Sequence, residues 1–134
     1  MTTATFEMCT GAGAILMDVK GHAGFAELGK DPVCAGASVL AMTAAQCAED
    51  MYGYGKLQKK PAIMIRNGRV RVVVKPEPEY YHEALHLYWI AYTGMRLLAE
   101  SYPENMELKG FETVVETVPG DEAGTTQESG ADSI

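Results

Sequence analysis

A histidine set among glycines and, twelve residues further on, a cysteine at an apparent helix start are the residues of this chain best suited to chemistry. Between positions 21 and 38 the chain runs Gly-His-Ala-Gly-Phe-Ala-Glu-Leu-Gly-Lys-Asp-Pro-Val-Cys-Ala-Gly-Ala-Ser. Asp31 is a good N-cap, and Pro32 suits the first helical position, where a missing N–H costs nothing. Cys34 then falls in the first turn. There the unpaired amides and the positive end of the helix dipole favour thiolate over thiol, and a nearby imidazolium would favour it further. A flexible loop could fold His22 back over Cys34 as its base. The same residues also admit a plainer reading, with Cys34 a buried small hydrophobe and His22 a loop residue. Ser38, one turn on, shares the face of Cys34 and could hydrogen-bond to the thiolate, to His22 or back to a helix carbonyl. First-turn amides could serve an oxyanion.

A second motif speaks for different chemistry. His82-Glu83-Ala84-Leu85-His86 is a literal His-Glu-x-x-His, the spacing that sets two zinc ligands on one helix face with a glutamate as general base. Catalytic zinc needs a third protein ligand. The extended motif fails, because Trp89 and Tyr92 stand where glycine and histidine are required, which leaves Glu100, Glu104 or Glu107 for that place. No phosphate loop or paired-carboxylate constellation stands out, and no cofactor is indicated.

The elements that must carry these residues follow from periodicity and turn chemistry. Thr3 to Cys9 and Ile15 to Lys20 read as strands joined through Gly11-Ala12-Gly13. A first helix from about Asp31 to Tyr52 is crowded with alanines, suiting a close approach to a sheet or a dimer mate. Cys9 reads as packing, and Cys47 points to a different side from Cys34. Met51 to Lys60 holds two glycines and two tyrosines and could be either a lid or a surface connection. Ala62 to Arg66 and Arg69 to Val74 flank Asn67-Gly68, a strong hairpin signal. A second helix from about Glu79 to Tyr102 carries an apolar stripe of Leu85, Tyr88, Trp89, Tyr92, Met95, Leu98 and Ala99. Met106 to Lys109 and Phe111 to Val118 read as one or two further strands. The expected fold is a small two-layer α/β (α+β) domain in the order ββαββαβ, with two helices on a mixed or antiparallel sheet. It spans residues 1–118, and 119–134 read as an acidic, disordered tail.

Gly21, His22, Ala23, Gly29, Asp31, Val33, Cys34, Ala35, Ser38 and Leu40 together resemble the ribosomal-processing cysteine protease family, Prp. Weaker similarity on both sides extends the resemblance to about residues 4 to 109. It implies a small homodimeric fold and a cysteine endopeptidase in which the histidine matched by His22 activates the thiol matched by Cys34. The implied substrate is large-subunit ribosomal protein L twenty-seven, cut next to an aromatic residue to remove its N-terminal extension. The family's acid falls on Asp31, which would orient His22, whereas the residue reading makes Asp31 a cap. Pro32 and Gly36 depart from the pattern, which has an aliphatic residue and an alanine there. The chain is also longer than typical members, as are phage or prophage relatives that could process a head or scaffold precursor.

Bulk properties agree with this class. With 134 residues the chain has the length of one domain, and its formal charge of −7 argues against a nucleic-acid partner, which needs clustered Lys and Arg. A basic protein precursor is the better electrostatic match. No apolar run spans a membrane and no leader opens the sequence, while three cysteines without a framework spacing suit a reducing cytoplasm. From another class altogether, a noncatalytic dimeric interaction protein would keep the Cys-His region as scaffold only.

Overall fold

The computed structural model describes residues 1–24, 26–27 and 30–119. Strands β1 (Thr2–Cys9) and β2 (Ala14–Lys20) form the expected hairpin, and helix α1 (Pro32–Gly53) follows. β3 (Ala62–Arg66) and β4 (Arg69–Val74) form the second hairpin around Asn67-Gly68. A short 3-10 turn (Pro78–Tyr80) leads into α2 (Tyr81–Ser101), and β5 (Met106–Val115) closes the sheet. The strand order is β3-β4-β2-β1-β5. All neighbours are antiparallel except β1 and β5, which run parallel, so the sheet is mixed.

Side chains alternate across the sheet, and both helices cover one face. Ala4, Phe6, Ile15, Met17, Val19, Val72 and Val74 point toward the helices and form one buried cluster with residues of both. From α1 come Val33, Ala37, Ala41, Ala44, Ala45 and Ala48, the alanines that let this helix lie close. α2 adds Ala84, Tyr88, Ala91 and Met95. The α2 stripe differs from expectation at Trp89, which is 48% exposed and stacks on Tyr92 at 4.9 Å. The opposite face holds a smaller cluster of Cys9, Ala14, Leu16 and Val118, so Cys9 is a packing residue as read.

β5 is a single strand with a bend, for a steric reason. Its register against β1 shifts between Phe6 and Met8, where Gly110 has φ 90° and a side chain would run into the Phe6 carbonyl. The helices run antiparallel. Gly36 near the start of α1 faces Leu98 near the end of α2, and Gly94 faces Leu40. This puts the α1 N-terminus, the α2 C-terminus, the start of β1 and the β3–β4 turn at one end of the molecule. No helix among the described residues is long and apolar enough to cross a membrane. The tail from residue 120 lies outside the described residues, as does Gly29.

Candidate active site

Asp31 starts α1 as its sequence suggests. Oδ1 accepts the amides of Val33 at 2.9 Å and Cys34 at 3.1 Å, and Oδ2 accepts that of Ala26 at 3.1 Å. The carboxylate is buried, and these three bonds to backbone donors tie helix to loop. The first-turn amides of Val33 and Cys34, proposed from sequence as oxyanion donors, are therefore already occupied. Ala35 N–H is occupied too, by the Asp31 carbonyl at 2.9 Å.

Cys34 is half-buried, and its sulfur meets the preceding loop. Ala23 N–H donates to Sγ at 3.1 Å. A donor aimed at sulfur stabilises thiolate relative to thiol, in the same direction as the helix terminus. The loop carrying this amide is tied down on both sides of His22. Gly21 N–H donates to the Gly68 carbonyl at 2.8 Å, and the Gly21 carbonyl accepts from Thr2 Oγ1 at 3.4 Å. The Ala23 carbonyl accepts from Asn105 Nδ2 at 3.0 Å.

His22 shares the cleft with Cys34 without a hydrogen bond to it. The cleft has a volume of about 230 Å³, and His22, Cys34, Ser38, Arg66, Gly68 and Arg69 are among its lining residues. The exposed imidazole lies over the β3–β4 turn, where a Cβ added at Gly68 would come 3.1 Å from Nε2. Among the described residues no hydrogen bond joins His22 to Cys34, to Asp31 or to Ser38. Arg66 and Arg69 make one wall basic. Arg69 grips Asp18 through two bonds, of 3.0 and 2.7 Å, which hold its guanidinium pKa above the ordinary value.

The zinc motif sits elsewhere. His82 and His86 flank an apolar groove with Met8, Leu85, Trp89 and Phe111 near the start of α2. Glu83 points away to Lys56, 2.7 Å from its ammonium, and the bond raises the lysine pKa. Glu100 lies fourteen residues beyond His86, roughly 21 Å along the helix. It pairs there with Arg96, while Glu107 on β5 meets Thr3. Among the described residues no three His, Cys, Asp or Glu side chains gather as a metal site. The lid reading of Met51 to Lys60 also fails. These residues end α1 and pack Leu57 against Pro76, roughly 30 Å of helix away from Cys34.

The family model for the cysteine protease Prp matches residues 1–107, which include the whole loop, α1 and the cleft. The chain belongs to the Prp cysteine protease family. Membership makes it a cysteine protease, and the noncatalytic interaction protein is set aside. The fold agrees with solved structures. The essential ribosomal processing protease Prp from S. aureus, with a covalently linked product peptide, superimposes with TM-score 0.61 at 24% identity, covering 81% of this chain and 98% of that one. The same protease with a substrate peptide gives 0.56 at 22%, covering 82% and 100%. A protein from Streptococcus mutans gives 0.58 at 24%, covering 86% and 94%. None of the curated proteins matches the chain.

Reading the residues of this Prp-family chain named Cys34, His22, Asp31 and Ser38 as candidates but missed what holds them. The Ala23 donor is backbone and has no sequence signature. Gly68 was legible as a hairpin residue, not as the floor under His22. Thr2 and Asn105 reach the loop only through the β1–β5 pairing.

Proposed function

We propose that this protease is a ribosomal-processing endopeptidase whose nucleophile is Cys34 and whose general base is His22. The observation that carries the reading is the Ala23 N–H bond to Cys34 Sγ, in a cleft that also holds the imidazole. His22 turns from its place over Gly68 to take the thiol proton. The thiolate attacks the scissile carbonyl, and the C–N bond breaks as His22 returns the proton to the leaving amine. Water, deprotonated by His22, then hydrolyses the thioester. As Sγ forms the new bond it loses its charge, so the Ala23 amide is freed beside the developing oxyanion. That amide takes the part first given to the occupied first-turn donors. Asp31 and Ser38 support the site: Asp31 by fixing loop to helix, Ser38 from the cleft wall. Gly21 lets the loop turn, at φ 96°, and the family resemblance adds Gly29 as a supporting residue.

The substrate we propose is the precursor of large-subunit ribosomal protein L twenty-seven, cut to release its N-terminal extension. The support is family membership and the fold shared with a ribosomal processing protease solved with peptides. The acidic balance of the chain suits a basic protein precursor, with no nucleic-acid partner. The protein is proposed to act in the cytoplasm as a homodimer, its dimer mate covering exposed apolar residues such as Val39, Trp89 and Leu97.

The test is cleavage of the purified precursor by the wild-type chain, Cys34→Ala and His22→Ala. Wild type should cut next to the aromatic residue, and each variant should lose at least about a thousandfold in kcat. A variant with wild-type turnover overturns the assignment of that residue. A wild-type enzyme that ignores this precursor but cuts a phage head protein would replace the substrate and leave the chemistry.

A further inference from the structure

One side chain from far along the chain reaches the loop that carries His22. Asn105 stands between α2 and β5 with its own backbone fixed. Its N–H donates to the Tyr102 carbonyl at 2.9 Å, and its carbonyl accepts Thr2 N–H at 3.0 Å, where β1 begins. The half-buried carboxamide is left to face the loop, donating from Nδ2 to the Ala23 carbonyl at 3.0 Å. A carboxamide opposite a carbonyl must present its NH2, so the partner decides which end points inward.

Ala23 is thereby held at both its polar groups, the carbonyl by Asn105 and the N–H by Cys34 Sγ. Gly24 follows at φ 72°, a conformation from which a glycine moves easily. Without the carboxamide no other hydrogen bond among the described residues holds the Ala23 carbonyl, and Ala23 can turn about its Cα so that its N–H leaves the sulfur. On the other side Gly21 is anchored to Gly68 and Thr2, so the Asn105 bond is the second of two fixed points bracketing His22.

We infer that Asn105 is a positioning residue for the nucleophile, holding the Ala23 amide on Cys34 Sγ and thereby favouring the thiolate. It is not among the residues lining the cleft and acts through its bond to the loop. The inference rests on the reading of Cys34 as an activated thiol. A loop held this way explains how the site keeps a thiolate donor although His22 lies over Gly68 and not on the sulfur.

The experiment is the pH dependence of iodoacetamide alkylation of Cys34, with the half-buried Cys47 as the reference thiol and the fully buried Cys9 as a folding control. Wild-type Cys34 should react with a midpoint below that of Cys47. In Asn105→Ala the Cys34 midpoint should rise by about one pH unit, so alkylation below it slows about tenfold. Asn105→Gln, which keeps the carboxamide, should recover part of the shift. On the precursor, Asn105→Ala should lower kcat and leave KM within about twofold. A merely structural role would lower Tm without moving the midpoint, and an unmoved midpoint in a folded variant overturns the inference. If wild-type Cys34 titrates with Cys47, the nucleophile reading itself fails. Should Asn105→Ala expose Cys9, the uncharged and near-isosteric Asn105→Leu replaces it: a midpoint raised at least as far supports the inference, and an unchanged one overturns it.

Discussion

Asp31 accepts backbone amides from both the helix and the loop, which is the geometry of the cap, one of the two roles open to it from sequence. As a cap and staple it needs acceptor oxygens more than charge. Asp31→Asn, which keeps one acceptor for the helix amides, should retain activity within about tenfold, whereas Asp31→Ala should cost about 1–2 kcal/mol of stability. A carboxylate that oriented His22 would give a different result, with Asn as damaging as Ala in kcat while stability held. Thermal melts and cleavage rates of the two variants separate the cases. At this scale the sequence was informative where a side chain speaks for itself: Asp-Pro announces a helix start, and the spacing from it places Cys34 in the first turn. It was silent on Ala23, whose working part is an amide that any residue but proline would supply. The oxyanion donors failed for a related reason, since the feature that made the first turn attractive, a strong cap, is what occupies its amides.

Between elements, the loop, the β3–β4 turn and the two helices set tolerances that point variants can measure. Gly68 has φ 78° and lies under the His22 ring, so Gly68→Ala is strained and also pushes against Nε2. It should lower cleavage at least tenfold while Asn67→Ala, beside it, has a small effect; equal rates would show that the ring does not need this floor. The helix interface makes a matched pair. A Cβ at Gly36 meets Leu98 at 3.4 Å, an ordinary contact, whereas one at Gly94 meets Leu40 at 2.6 Å. Gly36→Ala should stabilise the fold through helix propensity by up to about 1 kcal/mol and raise Tm, and Gly94→Ala should lower Tm through crowding. Tyr88 offers a pH signature. Its buried hydroxyl donates to the Val72 carbonyl, and burial holds its pKa well above the ordinary 10.0. The folded state favours the neutral phenol, so that stability is complete below about pH 10 and is lost as pH rises beyond it. Tyr88→Phe should flatten that alkaline loss and cost about 1 kcal/mol near neutrality. Helices and hairpins were legible here from period and turn residues. Trp89 was not, because an aromatic at helical spacing can stack on the rim of a core, as it does on Tyr92, as well as enter it.

Across the whole molecule, the antiparallel helices separate two ends with different character. The cleft, its basic wall and the pinned loop occupy one; the apolar groove with His82 and His86 occupies the other. His82→Ala should therefore leave precursor cleavage within a few-fold of wild type, and complete loss of activity would mean that the two ends communicate. The five-residue zinc motif was legible as letters but not as geometry, because Glu83 turns to a lysine that no local pattern announces. The layer order and both hairpins could be read from the chain. The parallel pairing of β1 with β5 could not, since nothing in either strand names its neighbour. That pairing joins residues near positions 2 and 106 and brings Asn105 to a loop eighty-two positions earlier. Contacts of such sequence separation form late, after the local hairpins and helices. A nascent chain with its loop, thiol and imidazole already made still lacks the strand that holds them in place. If Asn105 holds the loop as inferred, cleavage activity is expected only once translation has delivered that strand.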